Sequence, residues 1–135
     1  MQQRYLLTAA LLSLLGWEHV WGMDTQGRFL WWGHALQSCQ QFLQDRARGL
    51  QGDYATWLSG FFSGINLTKP DTHDIGGRGS EAIDEGLDWL RDYCQQNPQR
   101  KFGDGAQALI GMLYPTRQTH EPLEQLPPPR RSRAK

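Results

Sequence analysis

The chain of 135 residues lacks the sequence motifs of several common catalytic sites. It contains no G-x-S-x-G nucleophile motif, no P-loop and no H-E-x-x-H zinc motif. It also has only two cysteines, no internal repeat and no alternating strand pattern of useful length. These absences argue against enzymes of those classes and against a β-rich fold.

A net charge is also missing, because the 14 basic and 14 acidic residues cancel. Their distribution is nevertheless uneven. Seven acidic residues and two arginines lie between residues 71 and 92, whereas residues 130–135 carry four cations and no acid. A basic tail of this kind suits anionic lipid, nucleic acid or the acidic face of its own domain, or it stays solvated without a partner.

The first 22 residues have the organisation of a secretory signal peptide. Met1–Arg4 is basic, Tyr5–Trp17 is apolar, and Val20–Gly22 supplies small or β-branched residues. The apolar run is too short to cross a bilayer, and no later segment is apolar enough to do so. We therefore expect cleavage after Gly22 and a periplasmic or secreted mature protein without nucleic-acid partners. A buried N-terminal helix and a retained membrane anchor are the alternatives.

The two cysteines, Cys39 and Cys94, both fall at inward-facing helical positions of the mature part. An even pair in a small exported domain indicates one disulfide, with two buried free thiols as the alternative. Two lone cysteines without a nearby pair of histidines do not suit a metal site. We expect no cofactor and no metal.

Apolar residues at helical spacing predict a compact all-α bundle of about four short helices, stapled by the disulfide. An aromatic N-terminal segment, residues 23–33, either covers the domain or leads into its first helix. The helical domain is residues 34–115. The four helices are predicted at residues 34–48, 53–66, 81–94 and 97–115, with Asp53, Ser80 and Asn97 as N-caps of the last three. From residue 116 onward the chain is polar and rich in proline and arginine, which predicts a disordered tail over residues 116–135.

The second predicted helix combines an aromatic stripe with a face of small side chains. Trp57 and Phe61 belong to the stripe, whereas Gly60 and Gly64 lie on the small-residue face with Ser59 and Ser63. A glycine inside a helix costs about 1 kcal/mol relative to alanine. We therefore expect a close neighbour at these glycines, and we place this helix at the centre of the bundle. Further structural residues are expected on the third helix, namely Trp89 and Tyr93.

The loop after the second helix holds the one cluster of residues that suggests a site. Its members are Asn66, Asp71, His73, Asp74 and Arg78. The simplest interpretation is that the aspartates form turns that cap the following segment. A partner-binding loop is the second interpretation. The third is acid–base or metal chemistry by Asp71, His73 and Asp74.

The order of these segments resembles small periplasmic helical families that include the Rap/Tai immunity proteins of type VI secretion. It is similar, more distantly, to the acid-stress chaperones HdeA and HdeB. The resemblance covers about residues 38–113. It rests on Cys39 with Phe42-Leu43, Trp57-Leu58-x-Gly60-Phe61-x-x-Gly64, Leu87-x-Trp89-Leu90-x-x-Tyr93-Cys94, and Asn97-Pro98 before Phe102-x-x-x-Ala106-x-x-Leu109.

The resemblance implies a non-enzymatic, protein-binding role in the periplasm. An immunity or inhibitor-type protein would bind one toxin or effector through the loop between Asn66 and Arg78. An acid-stress chaperone would instead expose apolar surface to unfolded clients when its carboxylates are protonated. A small metal-dependent hydrolase is the remaining alternative. The six tryptophans exceed what one small core needs, which suggests a partner surface or a homodimer.

Overall fold

The computed structural model describes residues 23–120. The expected signal peptide and residues 121–135 of the expected tail lie outside the described residues. The described part is all-helical, and it contains no strand, only two isolated bridges. Its elements are a 3-10 helix at Gly33–Leu36, then α1 (Cys39–Ala47), α2 (Gly52–Thr68), α3 (Glu81–Gln96), α4 (Phe102–Leu113) and a closing 3-10 helix at Tyr114–Thr116.

The predicted disulfide is confirmed. Cys39 and Cys94 are bonded, with their Cα atoms 4.8 Å apart and both side chains fully buried. The bond joins the first residue of α1 to the last full turn of α3. Because it closes a loop of 55 residues, the chain-entropy model gives it a stabilisation of about 4 kcal/mol. The four-helix bundle and its staple are therefore as predicted.

Two helices begin later than the sequence pattern predicts. α1 begins at Cys39 rather than at His34, because Gln37 and Ser38 are extended. α4 begins at Phe102 rather than at Asn97, which instead ends α3. The reason is a pairing between two distant segments. The N–H of Cys39 donates to the carbonyl of Arg100 (2.8 Å), and the N–H of Phe102 donates to the carbonyl of Gln37 (2.8 Å).

The predicted N-caps are also wrong in detail. Asp53 lies in the first turn of α2, whose N-cap is Gln51. Ser80 occupies the N-cap position of α3, but its side chain makes no capping hydrogen bond. At the N-terminus of α1, the side chain of the N-cap residue does make a capping bond: the Ser38 hydroxyl accepts from the N–H of Gln41 (3.1 Å).

The central helix is α3, not α2 as the sequence suggests. The backbone of α3 lies against α1, α2 and α4, whereas α2 packs chiefly against α3 and the first 3-10 helix. The buried face of α2 consists of Tyr54, Leu58 and Phe62. The other side chains of the core come mainly from α1, α3 and α4: Cys39, Phe42, Leu87, Leu90, Cys94, Phe102, Ala106, Leu109 and Ile110.

The close neighbour expected at Gly60 and Gly64 is absent. Within residues 23–120, no atom outside the helix's own backbone lies within 4 Å of a Cβ placed at either glycine. Their face is solvent-exposed because it lies away from the buried stripe. The close approach occurs instead at Gly103 of α4, where a Cβ would lie 2.6 Å from the ring of Trp31.

The aromatic segment at residues 23–33 covers the domain. Trp31 lies on Gly103, donates its Nε1–H to the Asp104 carboxylate (3.1 Å), and meets the rings of Trp57 and Phe61 edge-on. Among the described helices, none has the length and hydropathy needed to cross a membrane. The cover leaves part of its own apolar surface open, with Leu30 68% and Trp32 74% exposed.

Candidate functional site

The loop after α2 is organised by Asp74. One carboxylate oxygen of Asp74 accepts from the N–H of Gly76 (3.0 Å), and the other accepts from the N–H of Gly79 (3.1 Å). The first bond closes an Asx-turn, in which a short acidic side chain replaces a backbone acceptor. The turn predicted for Asp74 from the sequence is therefore present, and both of its oxygens are engaged by the loop itself.

Asn66 and Ile75 attach the same loop to the core. The Asn66 side-chain oxygen accepts from the N–H of Ile75 (2.7 Å), and the Ile75 side chain is buried. Gly76 follows at a point where a Cβ would lie 2.3 Å from the Cβ of Ala82, so only glycine fits there. Asn66, expected to contact a partner, is thus a residue that positions the loop.

The end of the described chain forms the third attachment. Gln118 pairs with Asp74 through two backbone hydrogen bonds, of 2.9 and 3.2 Å. Arg117 donates from Nε to the carbonyl of Asp71 (3.0 Å), and its guanidinium lies 3.9 Å from the centre of the Tyr114 ring. Residues 116–118 therefore pack on the loop, although composition assigns them to the predicted tail, residues 116–135.

The loop and the small-residue face of α2 together line one concavity, which we call the polar cleft. It encloses about 690 Å³. Its lining residues are Ser59, Phe62, Ser63, Asn66, His73, Asp74, Gly77, Arg78, Gly79, Ser80, Ile83 and Gln118. Two features that the sequence suggested separately, the serines of the small-residue face and the loop, therefore belong to the same surface.

Three predicted site residues present their side chains at the rim of the loop. Asp71, His73 and Arg78 are solvent-exposed. Arg78 forms an ion pair with Glu85 of α3, with 2.8 Å between Nη1 and Oε1. Asp71 adopts a left-handed backbone conformation with φ of 49°, which aspartate tolerates better than most residues.

Within the described residues, no three His, Cys, Asp or Glu side chains are grouped as metal ligands. Asp74, which the hydrolase alternative requires as an acid–base group or ligand, already accepts two backbone hydrogen bonds. The Asp74 carboxylate is therefore engaged in holding the backbone of the loop.

The acidic face of α3 is partly neutralised by arginines. Arg46 of α1 pairs with Asp88, and Arg91 pairs with both Asp88 and Asp92. The hydrogen bond from Arg91 lowers the pKa of Asp92 below its ordinary value. In the core, burial and the hydrogen bond to Asp45 raise the pKa of Tyr54 above its ordinary value of 10.0.

A second concavity, which the sequence did not suggest, lies on the other side of α2. We call it the apolar groove. It encloses about 550 Å³ and runs between α2 and α4 under the N-terminal cover. Its lining residues are Met23, Phe29, Trp31, Phe61, Ile65, Thr68, Lys69, Gln107, Ile110, Gly111, Tyr114 and Pro115. Helical periodicity predicts that Phe61 and Ile65 face inward, but it does not reveal that α2 and α4 stand apart there.

The remaining predicted structural residues form two aromatic stacks. Trp57 stacks on Phe61 with ring centres 5.1 Å apart, and its Nε1–H donates to the carbonyl of Trp32 (3.0 Å). Trp89 stacks on Tyr93 along the outer side of α3, with ring centres 5.6 Å apart. These four side chains are partly buried and pack against the core. Gly60 and Gly64, the other residues predicted to be structural, are solvent-exposed and do not pack against the core.

Comparison of the chain with family models, curated proteins and solved structures gives no match.

Proposed function

We propose that the mature chain is an exported, non-enzymatic protein-binding domain of the immunity or inhibitor type, which binds a partner protein in the periplasm. The binding surface is the exposed rim of the loop: His73 and Arg78, which line the polar cleft, and Asp71, which lies on the same loop outside it. The observation that carries this proposal is the way the loop is held. Exposed charged side chains stand on a backbone that Asp74, Asn66 and Gln118 fix through hydrogen bonds.

A fixed backbone matters because ordering a loop on binding costs free energy. A loop that is already ordered before the encounter avoids most of that cost. Mixed charges at its rim favour selection of one complementary partner over many. The disulfide between α1 and α3 keeps the scaffold under this loop in one arrangement.

The test is affinity purification from a periplasmic fraction with the native chain as bait, followed by identification of bound proteins by mass. We expect the native chain to retain one partner at neutral pH. The variant Asp71→Asn/His73→Ala/Arg78→Ala, in which asparagine keeps the left-handed conformation of position 71, is expected to reduce that capture at least tenfold, about 1.4 kcal/mol. Its thermal stability should remain close to native, because surface substitutions of this kind change stability by about 0.5 kcal/mol or less.

A matched control changes three other exposed side chains that do not line either concavity, namely Arg48, Gln95 and Gln99. Their replacement by alanine should leave capture unchanged. Equal capture by the rim variant and the control would show that the rim is not the binding surface.

An acid-stress chaperone is the second candidate, and the ion pairs of α3 favour it. The hydrogen bond from Arg91 lowers the pKa of Asp92, so its stabilisation is lost as the pH falls and Asp92 is protonated, which removes its pairing with Arg91. Such a protein should lose tertiary structure near pH 3 and suppress aggregation of many clients there. An immunity-type protein should show no such gain, so aggregation assays at low pH separate the two candidates.

A further inference from the structure

We propose that the apolar groove binds the chain's own proline-rich segment, Leu126–Pro129. The groove is separate from the loop used in the proposed function, and the inference does not depend on that function. Four aromatic rings form much of its wall: Phe29, Trp31, Phe61 and Tyr114. Grooves lined by aromatic rings are the common receptors of proline-rich segments in the polyproline II conformation.

The polar atoms of the groove's aromatic wall are already paired, which favours a ligand without donors of its own. The Trp31 Nε1–H donates to Asp104, and the Tyr114 hydroxyl donates to the carbonyl of Pro70. The groove therefore offers ring faces and aliphatic surface more than free hydrogen-bonding groups. Three consecutive prolines carry no backbone N–H, so burying them leaves fewer donors unsatisfied than burying another peptide would.

The lengths of groove and segment agree. One wall, formed by α2, extends from Phe61 to Lys69. The other wall, formed by α4 and the 3-10 helix that follows it, extends over the same number of residues, from Gln107 to Pro115. At the helical rise each wall is about 12 Å long. Four residues in the polyproline II conformation cover about 12 Å as well.

The tail also reaches the groove. Gln118 is fixed at the polar cleft by its pairing with Asp74, and Tyr114 and Pro115, just before it, line the groove. The two concavities flank the C-terminal end of α2, so the distance between them is on the order of one helix diameter, about 10–12 Å. The eight residues from Gln118 to Leu126 span up to about 25 Å in the polyproline II conformation.

Attachment to the same chain makes a weak intrinsic affinity sufficient. A short tether gives the tail an effective concentration in the millimolar range, which a second molecule does not reach at ordinary protein concentrations. The cationic end, residues 130–135, then continues beyond the groove.

The first test compares the native chain with Pro127→Ser/Pro128→Ser/Pro129→Ser by NMR, using the protein recovered after export. The probes are the Gly111 amide and the Trp31 indole N–H, both at the groove, with the Gly60 and Gly64 amides as references on the exposed face of α2. We expect the groove signals to shift and the reference signals to stay in place, independently of protein concentration. Unchanged groove signals would overturn the proposal.

The second test fills the groove. Gly111 lines the groove. A Cβ placed on Gly111 would have no atom of the described residues within 4 Å, apart from those of its own helix. Gly111→Leu should therefore fold and displace the tail, reducing the bound fraction at least tenfold. Gly60→Leu is the matched control, because Gly60 has the same open surroundings but lies outside the groove.

Two further outcomes also contradict the proposal. Groove shifts that grow with protein concentration would assign the groove to the tail of a second copy. Groove signals that differ between the full-length chain and the chain without residues 1–22, but not between the native and proline-substituted chains, would assign it to the N-terminal segment.

Discussion

Two segments without α-helix flank α2, and they are attached to the domain by different kinds of contact. The cover, residues 23–33, is held by ring packing around Trp31 and by single indole hydrogen bonds. The loop, residues 69–79, is held by backbone hydrogen bonds to Asn66, Asp74 and Gln118.

This difference determines what each side of α2 is suited to do. Ring packing is non-directional, and it leaves an apolar groove whose walls accept another apolar segment. Directional hydrogen bonds instead fix the positions of the charged side chains on the loop. The same helix therefore separates a surface suited to apolar burial from one suited to polar recognition.

Removal of the disulfide between α1 and α3 should have a larger effect on stability than any change in the cover or the loop. Replacing Cys39 and Cys94 by alanine should lower the free energy of unfolding by about 4 kcal/mol. Urea unfolding followed by circular dichroism measures the loss, with the reduced native chain as the control. A loss below about 1 kcal/mol would show that the core holds α1 and α3 together without the bond.

A substitution at Gly103 should disrupt the cover selectively. In Gly103→Val the new side chain meets the Trp31 ring, and overpacking of this kind costs about 3 kcal/mol. The Trp31 indole N–H should lose its protection from hydrogen exchange, whereas the Gly76 and Gly79 amides keep theirs. Gly111→Ala, at an open helical position, is the control and should be neutral or stabilising.

The reverse pattern is expected for the loop. Asp74→Ala removes the acceptor of two backbone N–H groups and should cost about 2 kcal/mol. Exchange at Gly76 and Gly79 should accelerate while Trp31 remains protected. His73→Ala, at an exposed position of the same loop, should change stability by about 0.5 kcal/mol or less. Equal exchange changes on both sides of α2 would contradict the separation.

The smallest effect is expected at Tyr54, in the first turn of α2. Tyr54→Phe removes the hydrogen bond to Asp45 and should cost about 1 kcal/mol at neutral pH. Because the pKa of the folded phenol is raised above its ordinary value of 10.0, its stabilisation is present below pH 10 and is lost as the pH rises further.

Unfolding between pH 9 and 11 measures this dependence. Tyr54→Phe should lose the part of the alkaline destabilisation that this phenol causes. Tyr114→Phe, whose hydroxyl donates to Pro70 at the surface, should keep it. Identical alkaline slopes in the two variants would contradict the assignment to Tyr54.

The four helices, many of their inward-facing side chains and the disulfide could be predicted from the residue pattern alone. Residues such as Leu58, Phe62 and Leu90 recur with the helical period, and that period follows from backbone geometry alone. The turn at Asp74 was also predictable, because an aspartate near glycines forms its bonds within a few residues. The loop was chosen as a candidate site from residue types alone, and the structure shows that Asn66 positions it.

Three features could not be predicted and are seen only in the folded structure: which helix is central, where α1 and α4 begin, and which glycines are packed. Periodicity indicates that a side chain faces inward but not which element it meets. The pairing of Gln37 with Phe102 joins residues far apart in sequence, and the contact of Trp31 with Gly103 does the same. Such contacts depend on the relative placement of whole segments, so Gly60 and Gly103 look alike in sequence although one faces solvent and the other an indole ring.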